Sequence, residues 1–214
     1  MVKRGKSQAV PNLDASQLTI NPNFIPSLIK TLDEKSTIRF QAAKKLQLIS
    51  RSNPSLLYPY FDTFARLLES SSSVLLWNAI IILSHLVSVD TERRFDGIFS
   101  RYYGHLWDGK LVTAANILGN SGRIARCRPD LADRITEQLL KVDDIPLPTA
   151  ECREVARGAV LNAFTEYAGM LKSHRHAGDF VARCTKSHRP KVKKTAEELT
   201  GQISQQKENK LLKK

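Results

Sequence analysis

A repeat limits this chain more than any other feature. A small polar turn, an apolar residue often followed by a basic one, and then Ala and Leu at helical spacing recur along its length. They stand at 36–46 (STIRFQAAKKL), 72–82 (SSVLLWNAIII), 110–118 (KLVTAANIL), 152–160 (CREVARGAV) and 190–199 (PKVKKTAEEL). Ala43, Ala79 and Ala115 fall 36 residues apart, and Ala156 and Ala196, in the place of Ala42, fall 40 apart. A second landmark lies between these segments. NPNF at 21–24, NPSL at 53–56 and RPDL at 128–131 each open an amphipathic stretch. Proline is tolerated in a first helical turn, where its missing N–H has no partner to lose. After Pro54 come Leu57, Phe61, Phe64, Leu67 and Leu68, and after Pro129 come Leu131, Ile135, Leu139 and Leu140. Both sets trace one face of a helix.

The spacing therefore predicts two helices per unit. First helices fall near 23–32, 55–70, 91–106, 130–141 and 176–186, and second helices near 36–52, 73–88, 109–127, 150–171 and 190–204. Turns fall at 32–36, 69–73 and 142–149. No segment shows the alternation of a strand, and 10 Gly and 9 Pro in 214 residues are too few for an all-β chain. One helix pair cannot cover its own apolar face, so neighbours must stack. The residues divide into a basic segment at 1–20, expected to be disordered, a repeat body at 21–203 and a Lys-rich tail at 204–214.

The first unit carries the clearest pattern: FIPSLIKTLD at 24–33, then Ile38-Arg39, Ala42 and Leu46. With AANILG at 114–119 it resembles the HEAT/armadillo repeat families. The resemblance implies an all-α, right-handed α-α superhelix of about five helix pairs. Its second helices would line a concave groove used for binding. Two departures stand out: Leu75 takes the place of Arg39 in the second unit, and the third unit also lacks the Arg.

Charge narrows the function. The net charge of +12 sits mainly at the ends: residues 172–214 carry twelve Lys and Arg against four acids, whereas 21–171 carry eighteen against sixteen. The most apolar segment, 74–89, contains Asn78, Ser84, His85 and Ser88. It is shorter than the ~20 residues that span a bilayer, so it reads as a buried helix and no membrane insertion is expected. No apolar stretch follows the basic N-terminal residues, which points away from a secretory signal. Cys127, Cys152 and Cys184 are odd in number and lack metal-site spacing, which favours a reduced, cytoplasmic setting.

The candidate partner-binding residues on the concave face are Lys45, Asn78, His85, Asn116, Arg123, Arg126 and Arg157. The stretch 110–128 is the best single site, with Lys110, Arg123, Arg126 and Arg128 and no acid. Gly119 and Gly122 within it serve either close ligand approach or close helix packing. Arg39, Arg153 and Lys193 hold the repeat family's basic position, where the plainer role is an ion pair such as Arg39 with Asp33, worth ~0–1 kcal/mol. Arg189, Lys191, Lys193 and Lys194 could hold phosphates, but Phe180 is the one aromatic residue near them to stack on a base. His174, His176, Cys184 and His188 match no common zinc spacing, so no metal is expected. Trp107-Asp108 and Trp77-Asn78 are similar to the aromatic-plus-acid pairs of base-processing enzymes, yet no extended match to helical-repeat DNA glycosylases accompanies them, and Trp77 reads as core. No nucleophile elbow, phosphate-cradling loop or carboxylate pair is visible. These residues point to a non-catalytic scaffold without cofactor that binds a protein, with nucleic-acid binding as the alternative. Its oligomeric state stays open.

Overall fold

The computed structural model describes the backbone of residues 22–211 and the side chains of 23–171 and 174–202. The basic segment at 1–20 and the last tail residues, 212–214, lie outside the described residues. Among the described residues eleven α-helices follow one another: α1 (Ile25–Thr31), α2 (Ile38–Ser52), α3 (Pro54–Leu57), α4 (Phe61–Leu67), α5 (Ser73–Leu86), α6 (Arg94–Gly104), α7 (Leu111–Cys127), α8 (Ala132–Leu140), α9 (Ala150–Glu166), α10 (Arg175–Cys184) and α11 (Pro190–Leu211). Among the described residues there is no strand. The chain is an all-α solenoid of five helix pairs, α1/α2, α3–α4/α5, α6/α7, α8/α9 and α10/α11. The last helix continues to Leu211, past residue 203.

Two predicted helices are broken. The one expected at 150–171 ends at Glu166 and gives way to a 3-10 turn at Ala168–Ser173. The first helix of the second pair is interrupted at Tyr58–Tyr60 by a 3-10 turn around Pro59. A proline inside a helix lacks the N–H for the ladder and its ring collides with the carbonyl four residues back, so α3 stops and α4 restarts.

The second helices α2, α5, α7, α9 and α11 pack side by side along the whole stack, while the first helices touch one another less. The closer spacing puts the second helices on the inner side of the curve. The core between the layers is mostly aliphatic, with buried phenylalanines at α4, α9 and α10 and its densest aromatic cluster at α6, where Phe95, Phe99, Tyr102 and Tyr103 are fully buried. Tyr103 shares a hydrogen bond with Ser121 of α7 at 3.0 Å, and Tyr102 donates to the Ile80 carbonyl of α5 at 3.3 Å. Burial pushes both phenols well above the usual tyrosine range.

The alanine register holds in one place and slips in another. Ala79 is fully buried, but Ala115 is only half-buried and Ala114 takes the buried place beside it. The reason is helix phase. α5 starts at Ser73 and α7 at Leu111, so a residue carried forward by 36 positions lands two positions nearer the helix start. Two positions are about 200° of helical rotation.

Candidate functional site

Neutral hydrogen bonds between neighbouring helices tie the inner layer together. Ser50 of α2 meets His85 Nδ1 of α5 at 2.7 Å. Trp77 Nε1 donates to Thr113 Oγ1 of α7 at 3.0 Å, and Ser84 Oγ donates to Asn120 Oδ1 at 3.2 Å. Trp77 is thus half-buried at a helix junction rather than a core residue. Gly119 and Gly122 turn out to do different things. A Cβ on Gly122 would come within 2.6 Å of the Ala163 carbonyl oxygen, so this glycine lets α7 and α9 touch. A Cβ on Gly119 would meet nothing within 4 Å.

Charge is sorted by helix in the first three pairs. Several acids of the first helices and their turns are paired: Arg66 with Asp33 at 3.8 Å, Arg94 with Asp62 at 2.6 Å, Arg101 with Glu69 at 2.5 Å, and Arg128 with Asp96 at 2.6 Å and Asp130 at 2.8 Å. The inner helices α2, α5 and α7 hold no acid at all, and they carry six cations, Arg39, Lys44, Lys45, Arg51, Arg123 and Arg126. Of these only Arg126 meets a carboxylate among the described residues, Glu166 of α9 at 3.8 Å. The Arg39–Asp33 pair anticipated from the sequence does not form. Asp33 turns to Arg66, and the Arg39 guanidinium lies 5.0 Å from the Phe40 ring centroid.

His85 sits among these cations. Burial, then the guanidiniums of Arg123 and Arg51, push its pKa down to about 4, so the ring is neutral near pH 7. Three buried polar atoms of α2, α5 and α7 have no hydrogen-bond partner: Arg39 Nε, Asn78 Oδ1 and Arg123 Nε. The Asn78 amide nitrogen is already used, donating to the Val74 carbonyl at 2.8 Å.

Two designed armadillo repeat proteins match this arrangement of helices over 85% of the chain. One was designed for modular peptide recognition: TM-score 0.60, 18% identity, 82% of its own chain covered. The other is in complex with the peptide (KR)4: TM-score 0.63, 15% identity, 82% covered. The fold is armadillo-like. No sequence profile of a protein family matches the chain, and no curated protein does.

Within this armadillo-like stack, Asn78, His85, Asn116, Arg123 and Arg126 gather on the inner surface of α5 and α7. Lys45 is exposed but lies on the far side of α2 from Ser50, the residue that faces α5; Lys44 and Arg51 take the inner positions instead. Arg157 does not join the row. Its Nε donates to Asp143 at 2.7 Å and its other nitrogen to Glu154, so it ties α9 to the preceding turn on the side of α10. Burial pushes the Glu154 carboxyl up, but hydrogen bonds from Ser187 and Arg157 outweigh that and leave it below the usual range. Cys184 beside this network is pushed up to about 11 by burial, which makes it a poor nucleophile.

The C-terminal cations are locally occupied. Arg189 pairs with Glu151 at 2.9 Å, Lys193 with Glu197 at 4.0 Å and Lys194 with Glu198 at 3.8 Å, leaving Lys191 alone without an ion pair among the described residues. Among the described residues no three His, Cys, Asp or Glu are placed to hold a metal ion, and no helix is long and apolar enough to cross a membrane. Sequence reasoning missed Lys44, Arg51 and the exposed inner-face residues Val74 and Val112. The signal was available: three alternate helices without an acid are visible as soon as charge is counted helix by helix.

Proposed function

We propose that this chain is a non-catalytic scaffold that binds another protein along the inner face of α2, α5 and α7. The observation that carries the reading is the charge of these three helices: six cations, of which Lys45 is turned away from the face, no acid, and among the described residues one carboxylate, from α9, to offset them. A fold that pairs its acids elsewhere and leaves this surface uncompensated is set up for a ligand of opposite sign. The unpaired Asn78 Oδ1 and Arg123 Nε support the same reading, because native folds leave few such atoms unsatisfied. Of the two armadillo repeat proteins similar in fold, one is built for peptide recognition and the other holds a peptide. The free thiols of Cys127, Cys152 and Cys184 fit a reducing, cytoplasmic setting.

The test is affinity capture from nuclease-treated lysate with the parent and with Arg123→Glu/Arg126→Glu. The parent retains a protein partner and the variant loses it, with the helical circular dichroism spectrum unchanged. Capture that disappears on nuclease treatment of the parent favours nucleic acid instead.

A further inference from the structure

The three acid-free helices share a second regularity. Phe40 and Arg51 in α2, Val74 and His85 in α5, and Val112 and Arg123 in α7 are each eleven residues apart. Eleven residues are three turns, so each pair lies on one helix face, separated by about 16 Å along the axis. Across the stack this gives two parallel rows. An apolar row crosses the helix starts, where Val74 and Val112 are 38% and 48% exposed. A basic row, Arg51 and Arg123 flanking neutral His85, crosses the helix ends. Between them lies a floor of small and neutral groups, among them Asn78, Ala115, Asn116 and Gly119.

Resting on the protein-binding reading above, we infer that the occupant of this face is an acidic amphipathic helix of a partner protein. It lies across α2, α5 and α7 with its aliphatic flank on the Val74–Val112 row and its carboxylates on Arg51 and Arg123. The sign follows from the absence of any acid on these helices, and the aliphatic flank from the valines, which a sugar-phosphate chain would leave uncovered. The width follows from the separation of the rows. A helix with its side chains is about 10–12 Å across, and glutamate side chains extend its reach towards both rows. A single extended strand covers one row at a time.

Four probes test this by fluorescence anisotropy at 150 mM salt. The first is an 18-residue helical peptide with Leu on one face and Glu flanking it. The second has Lys in place of every Glu. The third has the same Glu and Leu in strict alternation, which cannot form an amphipathic helix. The fourth is a 20-base-pair duplex. The first binds best, Arg51→Glu/Arg123→Glu weakens it about tenfold or more, and Val74→Asn/Val112→Asn weakens it by a smaller factor. Arg51→Glu alone, at an exposed residue, keeps the measurement open should the double variant fold poorly. Tighter binding of the alternating peptide overturns the helical occupant, and tighter binding of the duplex overturns a protein occupant. If the Lys peptide wins and still responds to the Arg51 and Arg123 substitutions, the inner face remains a protein site and the acidic assignment falls. If no peptide binds, or binding ignores both pairs of substitutions, both readings fall.

Discussion

Between the first helices of neighbouring units, the polar contacts are ion pairs: Arg94 reaches back to Asp62, Arg101 to Glu69 and Arg128 to Asp96. Between α2, α5 and α7 they are neutral, Ser50 with His85, Trp77 with Thr113 and Ser84 with Asn120, and an ion pair enters only at the next junction, Arg126 with Glu166 of α9. The outer layer cancels its own charge. In the inner layer, α2, α5 and α7 are held by groups that leave most of their cations unspent. A stack stitched by ion pairs on both sides would have no net field to offer a partner, so the division of labour is what makes one face a candidate for binding.

The strongest way to break the outer stitching is at Asp90. This buried carboxylate accepts the Tyr58 hydroxyl at 2.7 Å and the backbone N–H groups of Arg94 and Phe95 at 2.8 and 2.9 Å, at the start of α6. Asp90→Ala removes a helix-capping acceptor and orphans buried donors, and should cost about 3 kcal/mol in urea unfolding. A loss below about 1 kcal/mol would mean that α6 is not anchored there.

In the inner layer, Ala79→Leu should cost ~1–3 kcal/mol by overpacking, whereas Ala115→Leu, half-buried, should stay within about 0.5 kcal/mol of the parent. Equal effects would show that the two alanines are equivalent after all.

The two glycines sharpen the point further. Gly122→Ala forces α7 away from α9 and should destabilise by about 1–2 kcal/mol. Gly119→Ala, with open space around it, should stabilise by ~0.5–1 kcal/mol through the better helix propensity of alanine. The same change three residues apart thus gives opposite signs in a thermal melt.

The last effect is a pH slope. His85 takes up a proton near pH 6.5 when unfolded and only near pH 4 when folded. Its neutral form therefore contributes stability that is complete above about pH 6.5 and is lost as pH falls towards 4. Asp130 and Glu154, both held below the usual carboxylate range, lose theirs at still lower pH. His85→Gln should flatten the stability profile between pH 6.5 and 4; a profile identical to the parent's would place His85 in a solvated, unshifted state.

Helix positions were legible in the sequence because apolar periodicity and the proline-led starts report local structure directly. The 36-residue interval reappears as real contacts, Trp77 to Thr113 and Ser84 to Asn120. Side-chain direction was less legible. Arg157 and Lys45 are one helix turn or less from inner-face positions, and about 100° of rotation per residue decides which layer they serve. Charge was misleading for a similar reason. Residues 21–171 sum to near neutrality, yet the acids of that region sit largely on outer helices and turns while the cations of α2 and α7 stand apart. A sum along the chain cannot register that sorting. Pro59 was visible in the sequence, but the run of apolar residues around it masked the break it causes.

The contact made by Gly122 also bears on how such a chain could grow or recombine. The position in α5 equivalent to Gly122, eleven residues after the helix start, is Ser84. If the second unit were copied into the place of the third, the Cβ of that serine would come within 2.6 Å of the Ala163 carbonyl oxygen. The units of this solenoid are therefore not interchangeable parts. One missing carbon atom at the α7–α9 junction thus makes the third unit specific to its neighbour, and a replacement there requires the adjoining helix to change with it.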